Sequence, residues 1–172
     1  MSHRKREIET DLLPDIPSAE ESRLLNPIEA RKKAMDYLAR REHGRVELVR
    51  KLEQAGFEQV AITPAIEGLI EDGLQSDARF AEAMVSSRIN QGKGPLKIRA
   101  DLKGKGIDES LIDAALAEVE HDWVAAAREV RARKFGLEEP IDYAAKARQM
   151  RFLQSRGFDS EQIRSAVSAF DD

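Results

Sequence analysis

Apolar residues recur along most of the chain at the spacing of one helical face, and the pattern starts abruptly. Before residue 26 there is no sustained period: Pro14, Pro17, mixed charges and isolated aliphatics read as a flexible arm over 1–25. From Asn26-Pro27 the period becomes helical, with Asn26 suited to the N-cap, Pro27 to the first helical position, and Ile28, Ala30, Ala34, Met35 and Leu38 on one face. This predicts a helix from Ile28 to about Arg41.

The pattern also repeats at long range. Leu48-Val-Arg-Lys-Leu-Glu-Gln-Ala-Gly56-Phe57 aligns with Ile98-Arg-Ala-Asp-Leu-Lys-Gly-Lys-Gly106-Ile107 and with Gln149-Met-Arg-Phe-Leu-Gln-Ser-Arg-Gly157-Phe158, a period of about 50 residues. Leu52, Leu102 and Leu153 share one place in it. Each glycine is followed at once by an apolar residue, then by Ile62, Ile112 or Ile163, then by Ile66, Leu116 or Val167. The i, i+4 spacing of these last pairs predicts a helix after each glycine, and the glycine suits a left-handed helix end where a side chain would clash. Asp108 and Asp159 are expected to cap the following helices through their carboxylates. In the first copy Thr63-Pro64 leaves two options open, a late helix start or a kink.

A further amphipathic segment precedes each pair: Ile28 to Arg41, Arg79 to Gln91, and Val124 to Phe135. The expected fold is therefore all-α, three tandem three-helix units of the helix-turn-helix kind in an elongated, curved chain. The expected boundaries are 26–75, 76–122 and 123–172, after the arm at 1–25.

Composition bounds what such a chain can do. Its 172 residues are 41% hydrophobic and 35% charged, enough for a core under a densely ionised surface. No apolar run approaches the roughly 20 residues of a membrane span, and the start of the chain lacks the apolar region of an export signal, so a cytoplasmic location is expected. With no Cys, neither disulfides nor thiolate metal sites can form. His43 and His121 read as exposed surface residues, for no HxxxH or HxxE spacing accompanies them, and no cofactor or metal is expected. No nucleophile and base come together in a triad, so the chain is expected to bind rather than catalyse.

The net charge of −4 argues against nucleic acid until its distribution is followed. Residues 31–57 hold eight Lys/Arg and four acids, whereas 58–78 hold five acids and no base. Residues 79–106 hold seven bases and two acids, 107–123 six acids and no base, and 124–157 eight bases and four acids. First and second helices are thus basic and third helices acidic, which solvated faces alone would not repeat in step with the fold. A basic stripe would neutralise phosphate with release of counterions. Gly92-Lys-Gly-Pro95 and Lys103-Gly-Lys-Gly106 could let backbone approach phosphate, although a helix break followed by a cap accounts for them equally well, and the P-loop spacing is absent. Aromatics are too few for base stacking in series, so any contact with nucleic acid should be electrostatic.

Tyr37-Leu-Ala-Arg-Arg41, Glu47-Leu-Val-Arg-Lys-Leu52, Ser76-Asp-Ala-Arg-Phe-Ala-Glu82 and Gly94-Pro-Leu-Lys-Ile-Arg99 give the sequence from about Asn26 to Phe170 a close resemblance to the RecX family of bacterial recombinase regulators. One departure is Gly44, where the family commonly carries a small hydroxyl residue. The resemblance implies binding in the groove of the RecA filament on single-stranded DNA, with restraint of recombination, ATP hydrolysis and the SOS response. The expected partners are RecA and single-stranded DNA, with duplex DNA as a further option, and the expected state is a monomer. The alternative is a sequence-specific helix-turn-helix regulator. Expected contact residues are Arg40, Arg41, Arg45, Arg50 and Lys51 in the first unit, Lys93, Lys97, Arg99, Lys103 and Lys105 in the second, and Arg131, Arg133, Lys134, Arg148 and Arg151 in the third.

Overall fold

The computed structural model describes residues 14–168, and these are helical throughout, with no strand. In chain order the helices are α1 (Ala19–Leu24), α2 (Pro27–Leu38), α3 (Arg45–Gln54), α4 (Gln59–Glu71), α5 (Asp77–Asn90), α6 (Pro95–Gly104), α7 (Glu109–Glu118), α8 (Trp123–Phe135), α9 (Tyr143–Ser155) and α10 (Ser160–Val167). From α2 onward they group in threes. In each group the first helix packs closely on the third, and the second crosses both.

Each group closes over its own apolar cluster. Leu48, Leu52, Phe57, Ile62, Ile66 and Leu69 form the first, Phe80, Val85, Ile98, Leu102, Ile107 and Ile112 the second, and Ala127, Leu153, Phe158, Ile163 and Val167 the third. Trp123 packs against both the second and the third. The three periodic leucines are completely buried. Three small cores in series result, rather than one large one.

The turn between second and third helices has one construction throughout. The amides of Phe57, Ile107 and Phe158 donate to the carbonyls of Leu52, Leu102 and Leu153 at 3.1–3.2 Å, and those of Gly56, Gly106 and Gly157 donate to Glu53, Lys103 and Gln154 at 2.9–3.0 Å. This is the Schellman closure, which requires a left-handed residue at the glycine; φ there is +94°, +76° and +94°.

Local signals explain most helix starts. Asn26 accepts from Ile28 N at 2.9 Å with Pro27 in the first turn, Ser76 caps α5, Asp122 caps α8, and Asp159 forms a reciprocal capping box with Gln162. Asp108 departs from expectation: it stands at the N-cap of α7, but its carboxylate makes no capping bond. Pro64 lies inside α4, five residues past its first, so the amide it lacks falls within the helix on a turn where Val60 is exposed. α2 ends at Leu38 rather than near Arg41, because the chain turns there to bury His43. Of the arm expected at 1–25, residues 1–13 lie outside the described range. Within the rest, Ser18 and Glu21 form a capping box that starts α1.

Leu102→Ala should lower unfolding free energy by about 2–5 kcal/mol, as truncations at fully buried sites do, whereas Lys103→Ala, on the exposed side of the same helix, should cost well under about 1 kcal/mol. Paired denaturant titrations check this, and equal losses would contradict the burial of Leu102.

Candidate functional site

The second helices α3, α6 and α9 carry three Lys or Arg each, and the first two are placed by a joint with the next unit. The start of each docks on the glycine turn of the next unit. At α6, Gly94 N donates to Arg156 O at 2.8 Å and Leu96 N to Gly157 O at 3.0 Å, so amides that a helix start leaves unpaired are satisfied across the boundary. Arg156 also donates from Nη2 to the carbonyl of Gln91. A Cβ on Gly94 would overlap the backbone of Gly157 and Phe158, and one on Gly157 would overlap Lys97. The Gly-Pro-Leu-Lys-Ile-Arg signature is therefore first of all a joint, and its glycine is required by contact with a neighbouring unit rather than with phosphate.

The joint between units one and two shares the close glycine contacts, but its hydrogen bonds across the boundary involve side chains. Gly44 begins α3 without a side-chain cap, and a Cβ there would crowd Phe80 at 3.2 Å, while one on Gly106 would meet Val46 at 2.7 Å. Arg45 N donates to Asp77 Oδ1 at 2.7 Å, Gln75 Nε2 to the His43 carbonyl at 3.2 Å, and Arg79 pairs with Glu42 at 2.9 Å. A hydroxyl residue at 44 could cap α3 only if the Phe80 ring gave way slightly.

These contacts sort the expected contact residues. Arg41 pairs with Glu47 at 2.5 Å, Lys105 reaches the same carboxylate at 4.0 Å from the next unit, Lys93 shares Asp101 with Arg88, Arg99 pairs with Asp113 at 2.7 Å, Lys103 with Glu109 at 3.2 Å, and Arg133 with Glu129. Lys51 lies over the Tyr37 ring at 4.8 Å and Lys134 over Phe152 at 5.9 Å. The side-chain charges of Arg40, Arg45, Arg50, Lys97, Arg148 and Arg151 are exposed and have no carboxylate or ring partner among the described residues. Arg50 and Arg151 occupy the same place in the repeat, as do Lys97 and Arg148.

Arg131 stands apart from a contact role. It is only 3% exposed and donates from Nε to Gln149 Oε1 at 2.7 Å and from Nη2 to the Glu138 carbonyl at 2.8 Å. Burial pulls its basicity below the ordinary arginine value. Its work is internal, bracing the segment before α9.

His43 is likewise buried rather than exposed, at 3%, with Nδ1 hydrogen bonded to the Arg41 carbonyl at 3.0 Å. Burial pushes its pKa below the ordinary value, against a partial rise from that carbonyl; Arg41 and Lys51 add to the lowering and Glu47 opposes it. Its isolated position in the sequence carries no signal of this. His121 is half-buried, edge-on to Trp123 at 4.7 Å. Burial alone would raise the Glu47 carboxyl, but the hydrogen bond and charge of Arg41, with Lys105 behind, hold it below the usual carboxylate range. The joint residues Asp77, Gln75 and Arg156 also lack any local signature, since each acts across a unit boundary.

The descriptions of the family models that match are RecX first three-helix domain at residues 30–69, second at 76–116 and third at 120–167. The regulatory protein RecX of Pseudomonas entomophila is 48% identical over 145 residues, 84% of this chain and 94% of that protein. The chain belongs to the RecX family. Its namesake in Halorhodospira halophila is 44% identical over 139 residues, 81% of this chain and 86% of that one. The fold is that of the crystal structure of RecX from Lactobacillus salivarius, with a TM-score of 0.71 at 24% identity over 84% of this chain and 96% of that chain. A second crystal structure of a regulatory protein RecX gives the same TM-score and identity over 85% of this chain and 73% of that one. No described helix is long and apolar enough to cross a membrane.

Gly157→Ala should uncouple units two and three, because the new methyl overlaps Lys97 at a positive φ. Amide hydrogen exchange should rise at Gly94, Leu96 and Phe158 while protection in α2–α4 is kept; unchanged exchange at Gly94 and Leu96 would contradict the joint. Because the folded pKa of His43 is depressed, its contribution to stability is complete above the unfolded value of about 6.5 and is lost as pH falls below it. Melting temperature should therefore decline below about pH 6.5 in the native chain and less in His43→Asn. Parallel decline in both would remove His43 as the source.

Proposed function

We propose that this chain regulates a RecA-type recombinase by lying along the filament that the recombinase forms on single-stranded DNA. It acts as a cytoplasmic, monomeric binder, with no chemistry of its own. Membership in a family of regulatory proteins supports this, but the observation that carries it is the recurrence of Arg50, Lys97, Arg148 and Arg151 on successive second helices with their charges uncompensated. Cations already spent on Asp or Glu add little to phosphate binding, since that contact must first break the existing pair. The ones left over are those whose counterions a polyanion can release.

The reading of a duplex-specific helix-turn-helix regulator is less well supported. In such a motif the helix after the turn enters the major groove. Here those helices are α4, α7 and α10: α4 and α7 carry Glu67, Glu71, Glu109, Asp113 and Glu118 with no Lys or Arg, and α10 sets Arg164 beside Glu161. The acids of α4 and α7 would repel phosphate. Their acidity suits basic protein surface instead, and complementary potentials of both signs favour an assembly that contains nucleic acid and protein together.

Arg148→Glu with Arg151→Glu should weaken binding to the recombinase filament by more than about tenfold near 0.1 M salt and relieve inhibition of its DNA-dependent ATP hydrolysis, whereas Lys32→Ala, which already pairs with Glu29, should change neither. If substoichiometric native protein leaves that ATP hydrolysis unchanged, the proposal fails. Selection of one duplex site over all others would favour the transcription-regulator reading. For about four phosphate contacts, the logarithm of affinity for bare single strands should fall with the logarithm of salt at a slope of roughly −3.

A further inference from the structure

In units one and two the segment leading into the second helix is an interface: His43 and Gly44 are buried at the first joint and Gly94 at the second. The corresponding segment of unit three, residues 136–142, is covered by no other unit among the described residues, and there the surface turns apolar. Leu137 is 83% exposed, Ile141 93%, and Tyr143, the first residue of α9, 85%.

This loop is braced. Arg131 holds the Glu138 carbonyl from beneath while bonded to Gln149, and Asp142 caps α9 by accepting from Ala145 N at 2.7 Å. A guanidinium withdrawn from water to hold one carbonyl keeps a surface loop in a defined shape. The exposed apolar side chains are thereby held out to solvent from a fixed frame, as an interface prepared for a partner requires.

The chemistry of that partner follows from charge. Glu138, Glu139 and Asp142 stand among the apolar residues, and no Lys or Arg occurs from 135 to 145. Phosphate is repelled from such a surface, and an apolar groove rimmed by Lys or Arg fits it. A second copy of this chain does not fit in the manner of the internal joints. α3 and α6 start seven residues before their buried leucines and α9 starts ten before Leu153, so Ala145 stands where Gly44 and Gly94 admit the next unit. All three glycine turns are already occupied: Gly106 by Val46, Gly157 by Lys97, and Gly56 by Leu24 of α1, whose carbonyl accepts from Glu58 N at 3.1 Å.

We propose that residues 136–142 together with Tyr143 are a protein-docking surface whose occupant is a basic-rimmed apolar groove on a different protein. Resting on the function proposed above, that protein is the recombinase subunit, so unit three meets protein through this loop and nucleic acid through Arg148 and Arg151.

The test is a triple variant, Leu137→Ser, Ile141→Ser and Tyr143→Ser, measured beside Glu138→Lys with Glu139→Lys and the native chain. Titrations are made against bare single-stranded DNA, DNA-free recombinase and the assembled filament. Since the side chains are exposed, helicity and melting of the triple variant should match the native chain. Affinity for bare DNA should stay within about twofold, while affinity for recombinase and filament should fall by about tenfold or more. The lysine pair should likewise weaken protein binding, and it should not weaken binding to DNA. Native-like filament affinity in the triple variant, or an equal loss on bare DNA, overturns the loop assignment alone. A native chain that ignores both recombinase and filament overturns the functional reading and this partner with it. A change of oligomeric state in the triple variant would show that a second copy is the occupant and overturn the proposal.

Discussion

Everything in this fold depends on a helix closed by a left-handed glycine, because that one turn is used twice. Inside a unit it reverses the chain from second to third helix, with the amide after the glycine bonded back to a fully buried leucine's carbonyl. Outside, it presents a surface bare of side chain to the start of another helix, and at the Gly157 turn its carbonyls also accept two amides from that helix start. At the Gly106 turn the start of α3 is met instead by the Asp77 carboxylate, which accepts from Arg45 N. Each unit supplies one such socket and, except the last, one such plug.

The first and last described units differ from the middle one. On the Gly56 turn α1 takes the place that a second helix takes on the other two glycine turns, with Arg23 over the ring of Phe57 at 5.6 Å. At the end, α9 is longer by nearly a turn and caps itself with Asp142. Relative to the internal joints, the difference is made by one short helix, α1, and by three more residues in α9.

The joints also decide which charges remain for a partner. Glu42, Glu47, Asp77 and Asp101 hold cations or amides at or near the boundaries, and Arg156 is spent on the Gln91 carbonyl. In a chain that is 35% charged, the number of basic residues says little about binding until those engaged internally are set aside. What remains is a smaller set, and it falls mostly on second helices.

Much of this was legible in the sequence, because local rules act over a few residues. The i, i+4 periodicity, the Leu–Gly–apolar register, the Asn26-Pro27 start and the caps at Asp159 and Asn26 are short-range and kept their meaning in the fold. What the sequence left undecided lay between units. The burial of His43, the inward role of Arg131, the pairing of Lys105 with a carboxylate about 60 residues away, and the use of Gly94 for a neighbouring backbone all arise from contacts distant along the chain. A single helical turn thus determined that each unit would form, whereas which glycines are sockets and which cations stay free depended on surfaces that exist only once the units have docked.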